Sequence, residues 1–233
     1  MKSLGIENGI ITHFYGGTEK YAYALLFGSV FIIIASYLLG SINGAALVSR
    51  CIYHDDIRTH GSKNAGATNM VRVFGAKAGV ITTAIDIGKT VVAVLLGAFL
   101  DYMLLPYLAA LFCLIGHAFP IFFEYKGGKG VLVTATALLV TAWPVFLVET
   151  AIWALVLLFT KYVSVASIIS ALMYPFILYR IDVLFRQTPG FDVIFAFIMA
   201  CFVIFLHRAN IKRLKDGNEN KIGSGKNKDK KGE

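Results

Sequence analysis

The chain has 233 residues, of which 57% are hydrophobic and only 15% charged, with a mean hydropathy of +0.70 and a formal net charge of +8. A soluble globule of this length cannot bury so much apolar surface, which excludes a water-soluble enzyme and leaves a polytopic membrane protein. The positive excess lies in loops and a tail suited to anionic lipid headgroups, so membrane lipid is the expected contact and no nucleic acid is expected as a partner.

Apolar stretches near the ~20 residues that cross ~30 Å of hydrocarbon fall at 24–48, 79–100, 104–123, 130–147, 148–160, 163–180 and 191–207. They predict an all-α fold of seven transmembrane helices. Six is the alternative count, because residues 130–160 are barely long enough for two crossings and need a tight turn at Trp143-Pro144. Charge separates the two. With the N-terminus outside and the C-terminus cytoplasmic, seven crossings place seventeen of the 22 basic residues inside and four outside, with Lys89 within the second helix. Six would set the first four loops against the tail. The first apolar segment is too long for a signal-peptide core and lacks a basic stretch ahead of it, so it is expected to remain uncleaved. No internal repeat is visible, which weighs against an inverted-repeat transporter.

In the first helix Gly40 and Ser41 are polar groups at membrane depth, and Ser41 is taken as a substrate contact. The loop that follows, residues 56–75, DIRTHGSKNAGATNMVRVFG, has the composition of a ligand-facing segment. Ser62, Asn64, Thr68 and Asn69 offer hydrogen bonds, Gly61 and Gly66 allow tight backbone paths, and Arg58 and Arg72 are suited to gripping phosphate oxygens. A solvated loop whose polar residues cap the next helix would share much of this composition. In the second helix Asp86 and Lys89 are three apart on one face, which favours a mutual ion pair over substrate contact.

The third loop is the most informative stretch. In FPIFFEYKGGKGVLVT, residues 119–134, the glycines of Gly127-Gly128-Lys129-Gly130 expose bare backbone, and a helix beginning at Val131 would aim free amides and a positive dipole end at an anion. Lys126 and Lys129 add charge, so a phosphate-sized ligand fits. The spacing is not that of a nucleotide P-loop. Ser164 and Ser167 open the sixth helix within reach of such a site. At the last helix's end, His207 and Asn210 are three apart and share a face. Residues 223–233 read as a disordered basic tail beyond a single domain of residues 1–222. Cys51, Cys113 and Cys201 lack metal or disulfide spacing, and no His/Asp/Glu ligand cluster appears, so neither a metal nor a cofactor is expected.

Taken together, YLLGSINGA with DIRTHGSKNAGATNMVRVFGAKAG and Asp86-x-x-Lys89, GHAFPIFFEYKGGKGV, and HRANIKRLKDGNENKI resemble the acyl-phosphate:glycerol-3-phosphate acyltransferases of bacterial membranes, over residues 36–222. Two positions depart from that family's pattern: Lys63 stands where a second glycine is usual, and Leu132 where a small residue is usual. The resemblance implies a multi-pass protein of the bacterial cell membrane with a cytoplasmic active site. It implies transfer of a fatty acyl group from acyl phosphate to the 1-hydroxyl of glycerol 3-phosphate, giving lysophosphatidic acid and phosphate, by a protein expected as a monomer. An acyl phosphate is already activated, so no covalent nucleophile is needed, and neither a GxSxG nor a Cys/His arrangement is present.

Carried over by motif, Gly127, Gly128, Lys129 and Gly130, with Lys126 nearby, would hold the glycerol 3-phosphate phosphate. Ser62 would hydrogen-bond a substrate oxygen, and Arg72, supported by Asn64, Thr68 and Asn69, would neutralise the leaving phosphate. Asn210 would orient a substrate. His207 would act as general base, unless the acceptor's own phosphate takes the proton. Glu219 would tie the tail down through an ion pair. A transporter or channel for an organic phosphate is the competing reading, but the helix interiors are nearly uncharged and the polar motifs crowd one side.

Overall fold

The computed structural model describes residues 9–185 and 190–222, and the basic tail read at 223–233 lies outside the described residues. Its elements are helices α1 (Ile10–Tyr15), α2 (Lys20–Ser41), α3 (Gly44–Ile52), α4 (Ala67–Phe74), α5 (Ala76–Leu100), α6 (Leu105–Ala118), α7 (Val131–Thr141), α8 (Trp143–Thr160), α9 (Val163–Phe185), α10 (Asp192–Leu206) and α11 (Arg208–Lys215). Short 3₁₀ turns at Ile57–Thr59 and Ile121–Phe123 complete the loops, and no strand occurs among the described residues. Every expected apolar stretch contains a helix. Five helical segments, Lys20–Ser41, Ala76–Leu100, Leu105–Phe123, Trp143–Thr160 and Val163–Phe185, are long and apolar enough to cross a membrane, and α10 with α11 makes a sixth if the pair, bent by 51°, counts as one. At 11 residues α7 is short for a span. Phe27, Phe159, Phe176, Phe197 and other large side chains stand exposed on the outer helix faces, as lipid-facing surface requires.

The first expected helix, 24–48, is two helices. The chain breaks at Ile42-Asn43, where Asn43 caps α3 by accepting from Ala46 N at 2.9 Å. A helix broken inside a membrane frees carbonyls and amides that need partners. The buried Lys89 ammonium donates to Gly40 O (3.0 Å) and Ile42 O (2.7 Å), while Asp86 Oδ1 accepts from Gly44 N (3.2 Å). Lys89 and Asp86 pair at 2.8 Å. The ion pair that the sequence spacing suggests is therefore also the patch over the break. It places a cation at the end of α2 and an anion at the start of α3, as the two helix dipoles favour.

Close backbone packing holds this region rigid. A Cβ on Gly40 would strike Cys113 O, and one on Gly116 would strike Tyr37 O, so α2 and α6 meet through their glycines. Val94, Cys113, Leu114, Val133 and Val203 join α5, α6, α7 and α10 in the main core. A second cluster, Val48, Ile57, Ala65, Met70 and Ala78, folds the first loop against α3 and α5 instead of leaving it in solvent.

Candidate active site

The loops before α4 and α7, the start of α9 and the chain after α10 border one cavity of about 460 Å³. Ser62, Asn64, Gly66, Thr68, Asn69, Arg72, Lys129, Gly130, Ser164, His207 and Asn210 line it, whereas Ser41, Arg58, Lys126, Gly127 and Gly128 do not. Segments 145 residues apart in sequence, from Ser62 to His207, thus meet at one place.

The first loop is organised around Asn69, which is buried. Its Oδ1 accepts from Ser62 N (3.0 Å) and Arg72 Nη1 (3.2 Å), and its Nδ2 donates to His60 O (3.0 Å), Asn64 O (3.2 Å) and Ile57 O (3.3 Å). With both ends of the amide occupied, Asn69 shapes the loop and aims Arg72. Arg72 has no other hydrogen bond among the described residues, so most of its guanidinium is free for a ligand. Arg58 is placed differently. Its Nε and Nη2 grip Asp56 (2.7–3.1 Å) and its Nη1 donates to Phe123 O (2.8 Å), which removes it from the cavity. Arg58's hydrogen bonds hold the Asp56 carboxyl well below the usual carboxylate range, and Asp56 raises the guanidinium in turn. Lys63 occupies left-handed backbone at φ 58°, a conformation that glycine adopts without strain.

In the third loop the amides of Gly127 and Gly128 donate to Ala118 O (3.0 Å) and His117 O (3.1 Å), the freed carbonyls at the end of α6. These two glycines dock the turn against α6. A Cβ on Gly127 would strike His117 O, and one on Gly128 would meet the His117 ring and lie 2.8 Å from Ala65 O. Lys126 points outward and pairs loosely with Glu124 at 3.8 Å. Ser41 sits behind the turn, accepting from Ile121 N (3.3 Å) and donating to Tyr37 O (2.9 Å). The cavity side begins at Lys129. Gly130 takes φ 73° and α7 starts, as expected, at Val131, with no side-chain cap on its first turn. Burial, reinforced by Arg213 and Arg72 and opposed by Glu219, brings the Lys129 ammonium down to about 8. The cavity mouth therefore concentrates positive charge.

The tail is fastened by Glu219, which accepts from Ser164 Oγ (2.8 Å), Asn210 Nδ2 (2.6 Å) and Arg213 Nε (2.7 Å). Burial works to raise this carboxyl, but the three hydrogen bonds carry it below its ordinary value. Ile222 N donates to Lys161 O (2.9 Å), closing the tail onto the loop before α9. Asn210 Oδ1 is buried and has no hydrogen-bond partner among the described residues. His207 is buried, and its Nδ1 lies 2.8 Å from Val203 O. With Nδ1 donating that bond, Nε2 carries the lone pair.

Sequence reasoning reaches Arg213 only as one of the tail's basic cluster, without a role, and passes over five other lining residues: His117, Glu149, Trp153, Ser170 and Tyr174. Arg213 follows Asn210 by one helical step, and Glu149 is the sole charge in an otherwise apolar helix, so both left a signal.

The family described as "Glycerol-3-phosphate acyltransferase" matches residues 30–217. The chain belongs to the glycerol-3-phosphate acyltransferase family. It is 42% identical to "Glycerol-3-phosphate acyltransferase 2" of Moorella thermoacetica over 191 residues, covering 82% of this chain and 96% of that protein. Among solved structures it resembles a crystal structure of PlsY (YgiH), described as an integral membrane glycerol 3-phosphate acyltransferase in its glycerol 3-phosphate form. That match has a TM-score of 0.75 and 31% identity, over 84% of this chain and 96% of that one. The lysophosphatidic acid form of the same protein matches with a TM-score of 0.72 and 30% identity, over 84% and 95%. The acyltransferase described here shares its helical architecture with these two solved structures.

Proposed function

We propose that this acyltransferase moves a fatty acyl group from acyl phosphate to the 1-hydroxyl of glycerol 3-phosphate, forming lysophosphatidic acid and phosphate at the cytoplasmic face of a bacterial cell membrane. The observation that carries the reading is the convergence of Arg72, Lys129 and Arg213 on one cavity that continues between helices α7, α8 and α9. Two phosphate-bearing substrates require such a cationic mouth, and a fatty chain requires an opening toward apolar surroundings.

In this reading Lys129, Gly130 and the uncapped first turn of α7 hold the phosphate of glycerol 3-phosphate. Arg72 neutralises charge on the departing phosphate, Ser62 hydrogen-bonds a substrate oxygen, and Asn210 offers its free Oδ1 to the acceptor hydroxyl. The 1-hydroxyl attacks the acyl carbonyl, the carbonyl–phosphate C–O bond breaks, and the proton passes to His207 Nε2 or to the acceptor's own phosphate. Positioning and charge stabilisation carry the catalysis.

We further propose a single domain over residues 1–222 acting as a monomer, with seven crossings, the N-terminus outside and the C-terminus inside. In this reading α7, only about 16 Å long, makes the shortest of the seven crossings, starting at the mouth, and α8 returns the chain to the same side. The loop before α7 and the start of α9 border the mouth, and Ile222 N donates to Lys161 O, which supports one sidedness for Lys129, Lys161 and the tail. Single cysteines in a Cys-free background test this: residues 63 and 226 should label from inside and residue 18 from outside. The activity test is phosphate release from palmitoyl phosphate by purified protein, which should require glycerol 3-phosphate. Failure of folded protein to turn over would return the organic-phosphate transporter to consideration.

A further inference from the structure

Beyond the cationic mouth the cavity runs along α9, where Ser164, Ser167, Ser170 and Tyr174 recur at steps of three, three and four and share one face. Two of its hydroxyls are committed within the protein, Ser164 to Glu219 and Ser167 to Val163 O and Trp153 Nε1, which leaves Ser170 open to the cavity. Across from it, α8 contributes Glu149, the sole charged residue of that helix, and it is only 7% exposed. An ionisable side chain inside a membrane helix is costly and marks a polar task. Ser170 lies close to the Glu149 carboxyl but outside hydrogen-bond geometry. Glu149 Oε1, Ser170 Oγ and Thr134 Oγ1 are buried without a hydrogen-bond partner among the described residues, and all three residues line the same cavity. Ser170 is six residues beyond Ser164, about 9 Å along the helix axis, and Ser164 is tied through Glu219 to Asn210 at the mouth. The unpaired oxygens therefore lie where the middle of a bound acyl chain would run.

We propose that Glu149, with Ser170 and Thr134, forms a polar subsite in the acyl part of the cavity that recognises a hydrogen-bonding substituent on the chain, namely a mid-chain hydroxyl. This rests on the acyl-transfer reading above. A Glu149 carboxyl oxygen accepts a hydrogen bond from the chain's hydroxyl, and Ser170 Oγ or Thr134 Oγ1 completes the hydroxyl's hydrogen bonding. A site built to bind a substrate hydroxyl discriminates against the analogue lacking it, because its own buried polar groups are then left unpaired. Glu149 is accordingly a specificity-determining residue and takes no part in the chemistry at the mouth.

The test is a competition between octadecanoyl phosphate and monohydroxyoctadecanoyl phosphates with the hydroxyl moved along the chain, read as the ratio of kcat/KM values. At the best position the wild-type protein should favour the hydroxylated donor by about tenfold or more, and Glu149→Leu should bring the ratio to one or below, while Glu149→Gln keeps part of it. Because Glu149→Leu could impair turnover, thermal stabilisation by hydroxyoctadecanoic acid against octadecanoic acid reads the same subsite without catalysis. Equal ratios at every hydroxyl position, or a preference that survives Glu149→Leu, would overturn the subsite. No turnover of any acyl phosphate by folded wild-type protein would instead overturn the acyl-transfer reading beneath it, and the stabilisation assay would still separate the two failures.

Discussion

The two halves of the first loop use the same kind of residue for opposite ends. In the first half Arg58 is saturated by Asp56 and by Phe123 O and has become part of the scaffold. In the second half Arg72 hydrogen-bonds, among the described residues, only to Asn69 and presents its charge to the cavity. What separates them is a local acid: Asp56 lies two residues before Arg58, whereas no carboxylate lies within the loop near Arg72. A guanidinium with a carboxylate in reach is neutralised before any ligand arrives.

The largest effect that would break this contrast is on turnover. Arg72→Ala should lower kcat by roughly 10²–10³-fold in protein that stays folded, the range for losing one charge-stabilising donor. Near-normal rates would remove Arg72 from the reaction. Gly128→Ala comes next, since its Cβ would press on the His117 ring and Ala65 O and shift the turn that carries Lys129. KM for glycerol 3-phosphate should rise by about tenfold, ~1.4 kcal/mol, and unchanged kinetics would show the turn to be remote from substrate.

Lys129 sharpens the comparison through pH. Because its ammonium is depressed to about 8, it is charged below that value and loses its proton as pH rises through it. KM for glycerol 3-phosphate should therefore climb as pH crosses about 8, and Lys129→Arg, which stays charged, should flatten the rise. A profile unaltered by Lys129→Arg would assign the titration elsewhere. Arg58→Ala should act on stability, at about 1.5–3 kcal/mol for its charge-assisted bonds, seen as a lower Tm with kcat largely kept. The smallest effect is at Lys63, where Lys63→Gly should relieve left-handed backbone strain and stabilise by ~1 kcal/mol.

Much of this was legible in the sequence. Apolar runs located the long helices, and Asp86 and Lys89 announced their pairing by spacing. The start of α7 at Val131 followed from the glycine turn. The break at Ile42-Asn43 was not legible, because its partners, Lys89 and Asp86, come from a helix more than forty residues away. The glycine turn misled in part: Gly127 and Gly128 are bare so that the turn can dock on α6, and the ligand-facing backbone begins only at Lys129. Glycine tolerates close approach by anything, and sequence does not say whether the approaching group is substrate or another helix end. Glu149 was passed over although it is the sole charge of α8, and its place beside Ser170 depends on how α8 and α9 pack.

The most direct measurement is the stoichiometry of phosphate and lysophosphatidic acid formed from palmitoyl phosphate and glycerol 3-phosphate by wild-type and Arg72→Ala protein side by side. Equal formation of the two products by the wild type, severely reduced in Arg72→Ala, is the predicted result. Phosphate release without lysophosphatidic acid, or equal turnover by both proteins, would contradict it.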